Sequence, residues 1–319
     1  MTLLAGDIAE QPGLLQSRLL SQSAALSQAR ALVALHHVVR LVGIGSSRHV
    51  AGYGAACLEV FGDVPASVLS APGGGVPLPR LGPGQLLVII SQSGQTPALL
   101  TVAASARACG ATVLAVTNGP GSALEQAADV VLPADAGAES VVPATKSVSA
   151  MMLLLRALAG SVDPAAVHRL SAVVGGLVGD SQLVALVALH ALPDLVVCGG
   201  FAGQWVADEV ALKLAEVTAH LAVPESVVDF LHGPAAVAAP TLAFLDPTDP
   251  NATAVASRGS VLTVGPSPDY SLPLPGTGDA SLDAITRVVA GQCLALHWAQ
   301  CHGVDPDDPR GLKKVTLTA

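Results

Sequence analysis

Aromatic residues make up only 3% of this 319-residue chain and charged residues only 12%. So few rings leave no row of stacking platforms for single-stranded nucleic acid. A net charge of −9 argues against a general nucleic-acid binder, because phosphate backbones attract basic faces. Cysteine is sparse: Cys57, Cys109, Cys198, Cys293 and Cys301 show no CxxC spacing, so they read as reduced thiols of a cytoplasmic protein rather than a disulfide framework. None of the nine histidines forms an HxH or HxxxH pair, so no metal site is expected. His36 and His37 point different ways on a helix and read as surface or satisfied core groups. Mean hydropathy is +0.59, yet no clean run of about 20 apolar residues exists to span a membrane. Leu183–Leu192 is stopped by Pro193 and Asp194. The start, MTLLAGDIAEQPG, lacks basic residues and carries Asp7 and Glu10, so no signal peptide is expected. A GxxxxGK[ST] loop is absent too, and in GIGSSRHVAG Arg48 stands where a dinucleotide fingerprint needs its third glycine. No cofactor is therefore expected.

What the chain has is aliphatic bulk. Hydrophobic residues are 51% of the sequence, enough for a large buried core built from Ala, Val and Leu. Leucines and valines recur at helical spacing through residues 1–38. After that, short apolar runs enter glycines and serines: RLVGIGSS (40–47), LLVII (86–90), ATVLAVT (111–117) and DVVLP (129–133). Stretches of helical length, 50–61 and 97–109, lie between them. Unalternated apolar strands separated by helices indicate a parallel sheet covered on both faces. The pattern then repeats about 150 residues later: LVVCGGF (195–201) echoes LVGIGSS (41–47), PTLAFLDPTD (240–249) takes the place of LLVIISQSGQ (86–95), and GSVLTVGPSPDYSL (259–272) echoes ATVLAVTNGPGSAL (111–124). Two copies of one α/β domain are expected, 39–185 and 186–302, preceded by a helical segment 1–38 and followed by a tail 303–319.

Chemistry concentrates where strands end. SQSGQT (91–96) begins as LLVII stops, and ligands of open parallel sheets bind at the carboxyl ends of strands. Hydroxyls of Ser91, Ser93 and Thr96, with backbone N–H groups of the next helix, make an anion cradle that Gly94 lets a ligand approach. Gly45, Ser46 and Ser47 supply more donors from the adjoining loop. Either cluster alone reads equally well as a helix cap; two together favour a phosphate site. The second copy has Asp246 and Asp249 at the matching place, and carboxylates repel phosphate, so one phosphate site per chain is expected.

Lysine is the scarcest cation, with only Lys146, Lys213, Lys313 and Lys314. An amine can lose its proton and attack a carbonyl, and a guanidinium cannot. Glu209, Lys213 and Glu216 share one helical face in ADEVALKLAEVTAHL. Such spacing commonly means an exposed salt-bridge ladder, but the apolar flanks favour a cleft. His232 follows in the turn of FLHGP.

SQSGQT, ALKLAEV, FLHGP and DDPRGLKKVT occur in an order and spacing that resembles tandem sugar-isomerase (SIS) domain proteins, above all the isomerase half of glucosamine-6-phosphate synthases. The resemblance covers almost the whole chain. It implies two SIS domains, each a three-layer αβα sandwich with a mostly parallel, flavodoxin-like sheet. It also implies roles: Gly45, Ser46, Ser47, Ser91, Gln92, Ser93 and Thr96 grip the sugar phosphate; Val142 and Ala144 contact the sugar, with alanine where the family usually has serine. Glu216 moves a proton between C1 and C2, His232 opens the ring from the neighbouring subunit of a homodimer, and Lys314 forms the Schiff base. Lys213 is a charged partner and Glu209 supports it. CGGF departs from the family's usual glycine–arginine–glycine turn, which puts the substrate preference in question.

The expected activity is that of a sugar-phosphate isomerase on an aminosugar or ketose 6-phosphate: glucosamine-6-phosphate deamination, or ammonia-dependent fructose-6-phosphate amination and isomerisation. No glutaminase activity is expected, since no cysteine stands near residue 2. A sugar-phosphate-binding regulator is the main alternative, though no basic helix-turn-helix segment accompanies it. A lyase or glycosyl-transfer relative would lack the tail lysine.

Overall fold

The computed structural model describes residues 2–70, 81–309 and 311–314. Elements run in chain order as α1 (Leu3–Ala9), α2 (Gln11–Ser21), α3 (Ser23–Ala34), β1 (Val38–Val42), α4 (Ser46–Gly62), β2 (Ala66–Val68), β3 (Gln85–Ser91), α5 (Pro97–Ala108), β4 (Thr112–Thr117), α6 (Ala123–Ala127), β5 (Val130–Pro133) and α7 (Lys146–Ala159). They continue with α8 (Pro164–Leu177), α9 (Ser181–Leu189), β6 (Leu195–Cys198), α10 (Gly203–Thr218), β7 (Val223–Ser226), α11 (Val227–Leu231), β8 (Thr241–Phe244), α12 (Ala252–Ala256), β9 (Val261–Gly265), β10 (Leu272–Pro273) and α13 (Ala280–Cys301). Two compact units form. One holds Ser17–Ser140, Lys146–Val162 and the tail from Leu312; the other holds the residues up to Gln16, Val141–Thr145 and Asp163–Gly311.

The first unit is built on a parallel sheet of order β2-β1-β3-β4-β5. Every residue of β3 after Gln85 is buried, as a strand covered on both faces requires. Leu87 and Ile89 pack with Leu99, Val102, Ala103 and Ala106 of α5 and with Leu124 of α6. Successive side chains alternate, so Leu86, Val88 and Ile90 face the other side, where α4 packs against the strands and α7 against α4. A Cβ on Gly54 would lie 2.6 Å from Leu155 Cδ1, so glycine sets the closeness of α4 and α7. Each fully buried Leu, Ile or Val contributes about 1.5–3 kcal/mol, and the lack of aromatics is made up by many such side chains.

The second unit repeats the sheet order, β7-β6-β8-β9-β10, again all parallel. Leu195, Val197 and Ala243 pack with Val227 and Phe230 of α11 and Val255 of α12. α13 is buried over most of its length and packs against α8, α9 and α10. Asp279 starts it by accepting from the N–H groups of Ser281 and Leu282. The two αβα layers and the duplicated sheet expected from the sequence are thus present. The strands expected at 40–47, 86–90, 111–117 and 129–133 correspond to β1, β3, β4 and β5. Among the described residues no single helix is long and apolar enough to cross a membrane.

Candidate active site

β1 and β3 are neighbours, with Val42 opposite Ile89, so the loops 43–47 and 91–96 leave the sheet side by side. The helices that follow them, α4 and α5, lie on opposite faces. This is the switch point of an open α/β sheet, where a crevice opens between diverging loops. The first loop is tight: a Cβ on Gly43 would sit 2.3 Å from Ser47 O. Gly45 takes φ +60 as the cap of α4, and Ser46 is the first helical residue. The unpaired N–H groups of a helix's first turn and its dipole suit an anion.

The second loop is held by its own hydroxyls. Ser91 Oγ accepts from Gly94 N at 3.1 Å, and Ser93 Oγ accepts from Gln95 N at 3.2 Å. A hydroxyl that accepts in this way still has its O–H to donate. Thr96 caps α5 by position without a side-chain cap bond. Gly94 has φ +63, and a Cβ there would meet Ser122 Oγ at 2.2 Å, so only glycine fits this turn.

A cavity beside this loop is lined by Gln92, Ser93, Asn118, Glu139 and Lys314. Lys314 Nζ lies 3.8 Å from Glu139 Oε2, and Gln92 Nε2 donates to the same oxygen at 3.3 Å. Asn118 fixes the wall, accepting from Ala136 N at 2.6 Å and donating to Gly137 O at 2.9 Å. Arg310 of the tail motif lies outside the described residues.

The other expected residues belong to the second unit. Lys213 and Glu209 are buried on α10, with side chains only 1% and 2% exposed and Lys213 Nζ 3.6 Å from Glu209 Oε1. Lys213 also donates to Glu216, whose side chain is 16% exposed. The stripe is therefore interior, not a solvated ladder. Pairing with two carboxylates offsets the cost of burying the Lys213 ammonium and holds the three side chains in place. Val142 and Ala144 are half-buried. His232 is exposed at the C-cap of α11, a helix whose start is capped by Ser226 Oγ accepting from Asp229 N at 3.0 Å. The structure thus gathers the hydroxyl loops and Lys314 in one unit, and the α10 ions, Val142, Ala144 and His232 in the other.

The crest of the second sheet is occupied by the protein itself. Arg287 of α13, 4% exposed, donates to Gly199 O at 2.7 Å. Gly200 of CGGF has φ +75, a backbone conformation that favours glycine, and a Cβ there would stand 2.8 Å from Arg287 Nη1. Asp246 Oδ1 accepts from Thr248 N at 2.9 Å and Thr248 Oγ1 at 2.7 Å. The Thr248 hydroxyl holds the Asp246 carboxyl below its usual range, and Arg287 adds a smaller pull. Burial pushes the Tyr270 phenol up, with Asp246 and Asp249 adding to it. Burial also raises the Cys198 thiol, against Arg287, and drives Cys293 to about 12, so both thiols stay protonated and inert.

Sequence reasoning did not single out Glu139, Asn118 or Arg287. Glu139 stands in the quoted stretch ESVVPATKS, but its partners come from distant positions. His36 is a satisfied group, its ring bonded to Leu32 O at 2.7 Å and Thr112 Oγ1 at 3.2 Å. Among the described residues no cluster of three or more His, Cys, Asp or Glu is placed to hold a metal.

Comparison with known proteins fits this geometry. Residues 36–161 match the SIS domain family. The glutamine–fructose-6-phosphate aminotransferase [isomerizing] of Aeropyrum pernix is 30% identical over 97% of this chain and 56% of its own length. The chain spans about half the length of the curated relatives it matches. The C-terminal domain of the glucosamine-fructose-6-phosphate aminotransferase of Francisella tularensis superposes with a TM-score of 0.81, at 20% identity, over 97% of this chain and 98% of that one. A glucosamine-6-phosphate deaminase from Thermotoga maritima gives 0.76, at 21% identity, over 99% and 100%. At such identities the structural likenesses speak to the fold.

Proposed function

From the premise that residues 36–161 form a SIS domain homologous to part of the aminotransferases, we propose that this chain is a sugar-phosphate isomerase of the aminosugar type. It holds a hexose 6-phosphate by its phosphoryl group at the head of β1 and β3. It then interconverts ketose phosphate plus ammonia with aminosugar phosphate plus water. The observation that carries this reading is the presence of Lys314 in the cavity lined by Gln92 and Ser93 of the loop after β3. An anion cradle and a primary amine in one cavity suit a substrate with a phosphate at one end and a carbonyl at the other.

The chemistry assigned to the residues follows. His232, supplied from the neighbouring subunit of a homodimer, opens the sugar ring. Neutral Lys314 Nζ adds to the C2 carbonyl, and loss of water leaves an imine that acidifies the C1 proton. Ammonia displaces the lysine amine by the same addition and elimination. Glu216 takes the proton from C1 and returns it to C2. The pairing of Lys213 with Glu209 and Glu216 orients Glu216. Val142 and Ala144 contact the sugar, and the alanine, lacking a hydroxyl, tunes which sugar is accepted.

Incubation with glucosamine 6-phosphate, with ammonia and fructose 6-phosphate followed over time, tests the proposal. Glu216→Gln and Lys314→Ala should each lower turnover by roughly 10²–10⁴-fold, the usual worth of a positioned acid or base. Full turnover in both variants overturns the mechanism. Tight binding of the sugar phosphate with no turnover in the unaltered protein would favour a regulatory role instead.

A further inference from the structure

We propose that Glu139 is a positioning residue that aims both Lys314 and Gln92 at the substrate; this rests on the function proposed above. The Glu139 side chain is fully buried, and a buried carboxylate is costly unless its oxygens are paired. One end of the pairing is rigid. Oε1 accepts from Ser147 N at 3.1 Å and Oε2 from Ser147 Oγ at 2.6 Å. Ser147 lies in the first turn of α7, a helix buried along its whole length. The positive end of that helix also favours an anion at this place.

The other end reaches two separate stretches of chain. Oε2 also takes Gln92 Nε2 from the loop after β3 at 3.3 Å, and stands 3.8 Å from Lys314 Nζ in the tail. Lys314 is 222 residues from Gln92 in the sequence, and both line one cavity. A single immobile carboxylate therefore sets where the amine and the loop amide stand. An anion at ion-pair distance favours the ammonium form of an amine. Imine formation needs the neutral amine, so Glu139 links the readiness of Lys314 to pH.

Two readouts test this. The first is borohydride trapping of fructose 6-phosphate, read by mass spectrometry on the tail peptide across a pH series. Trapping at Lys314 should be at least tenfold slower in Glu139→Gln at the pH optimum of the unaltered protein, with its own optimum moved to lower pH. The midpoint of thermal unfolding should still rise with inorganic phosphate, which shows that the variant folds and keeps the hydroxyl cradle. The second needs no sugar. Reductive ¹³C-methylation of the few lysines, followed by NMR, gives the titration of dimethylated Lys314. Its midpoint should fall in Glu139→Gln, and should lie between the two in Glu139→Asp, which keeps the charge but withdraws it by one methylene. An unchanged Lys314 titration in both variants overturns the inference. Absence of trapping in the unaltered protein, with the titration still shifted by Glu139→Gln, would instead remove the imine mechanism and leave Glu139 in control of the amine. If Glu139→Gln fails to fold, Glu139→Asp carries both readouts, and its agreement with the unaltered protein overturns the proposal.

Discussion

At the head of β3 the chain turns through Ser91, Gln92, Ser93 and Gly94; at the head of β8, the matching strand of the second sheet, it turns through Asp246, Pro247, Thr248 and Asp249. Both loops sit next to the strand that opens their sheet, β1 in one case and β6 in the other, so topology offers each the same crevice. The first loop accepts its own N–H groups at Ser91 and Ser93 Oγ and keeps hydroxyl protons to give away. In the second, Asp246 Oδ1 takes the N–H and hydroxyl of Thr248, and Asp249 Oδ1 takes Asn251 N at 2.8 Å. The cation there, Arg287, is engaged by the Gly199 carbonyl. A fold decides where a ligand can sit, and a surplus of donors decides whether an anion does.

The sharpest way to break this contrast is to give the first crest the chemistry of the second. Ser93→Asp places a carboxylate in the anion cradle. We expect at least a hundredfold loss of affinity for fructose 6-phosphate and for inorganic phosphate by calorimetry, in line with about 3 kcal/mol for like charges brought close in a partly desolvated site. Unchanged affinity would remove the cradle. The second crest should respond in the opposite way. Arg287→Ala removes the guanidinium donor from the Gly199 carbonyl, leaving the weak Cys198 thiol, and should lower stability by about 2–4 kcal/mol, seen as an earlier denaturant midpoint. Phosphate affinity should stay as it was. A loss of affinity with little loss of stability would mark the second crest as a ligand site rather than a self-filled one.

Much of this was readable before any coordinates. Long apolar strands such as LLVII, and the hydroxyl-rich loop after them, announce themselves because both are local: consecutive residues share one environment. The apolar neighbours of Lys213 on α10 argued for a cleft and against a solvated ladder, and the structure buries its side chain. What escaped is what depends on distant partners. β2, β7 and β10 are three, four and two residues long, and each is defined by the neighbouring strand that pairs with it. Arg287 stands inside an apolar helix, and only the fold brings it to Gly199. Glu139 looks like any loop glutamate until Ser147, Gln92 and Lys314 arrive around it. Nothing in one-dimensional spacing encodes such meetings.

The finest test of the contrast concerns acid. The Asp246 carboxyl is held below its usual range in the folded chain, chiefly by the Thr248 hydroxyl, while in the unfolded chain it titrates near the ordinary value. Between those two values the unfolded state binds more protons, so stability rises with pH there. The contribution is complete above the ordinary carboxylate range and is lost as pH falls through the folded value. Asp246→Asn should therefore lower Tm near neutral pH and change it little at low pH, which flattens the acid limb of a plot of Tm against pH. Asp246 is reached by solvent, so the effect should not exceed about 1 kcal/mol. The corresponding change in the first crest, Ser91→Ala, removes no titrating group and should leave the shape of that limb intact. An acid limb unaltered by Asp246→Asn would mean that the second crest's carboxylates are not held by their own loop, and its internal satisfaction would no longer explain why it differs from the first.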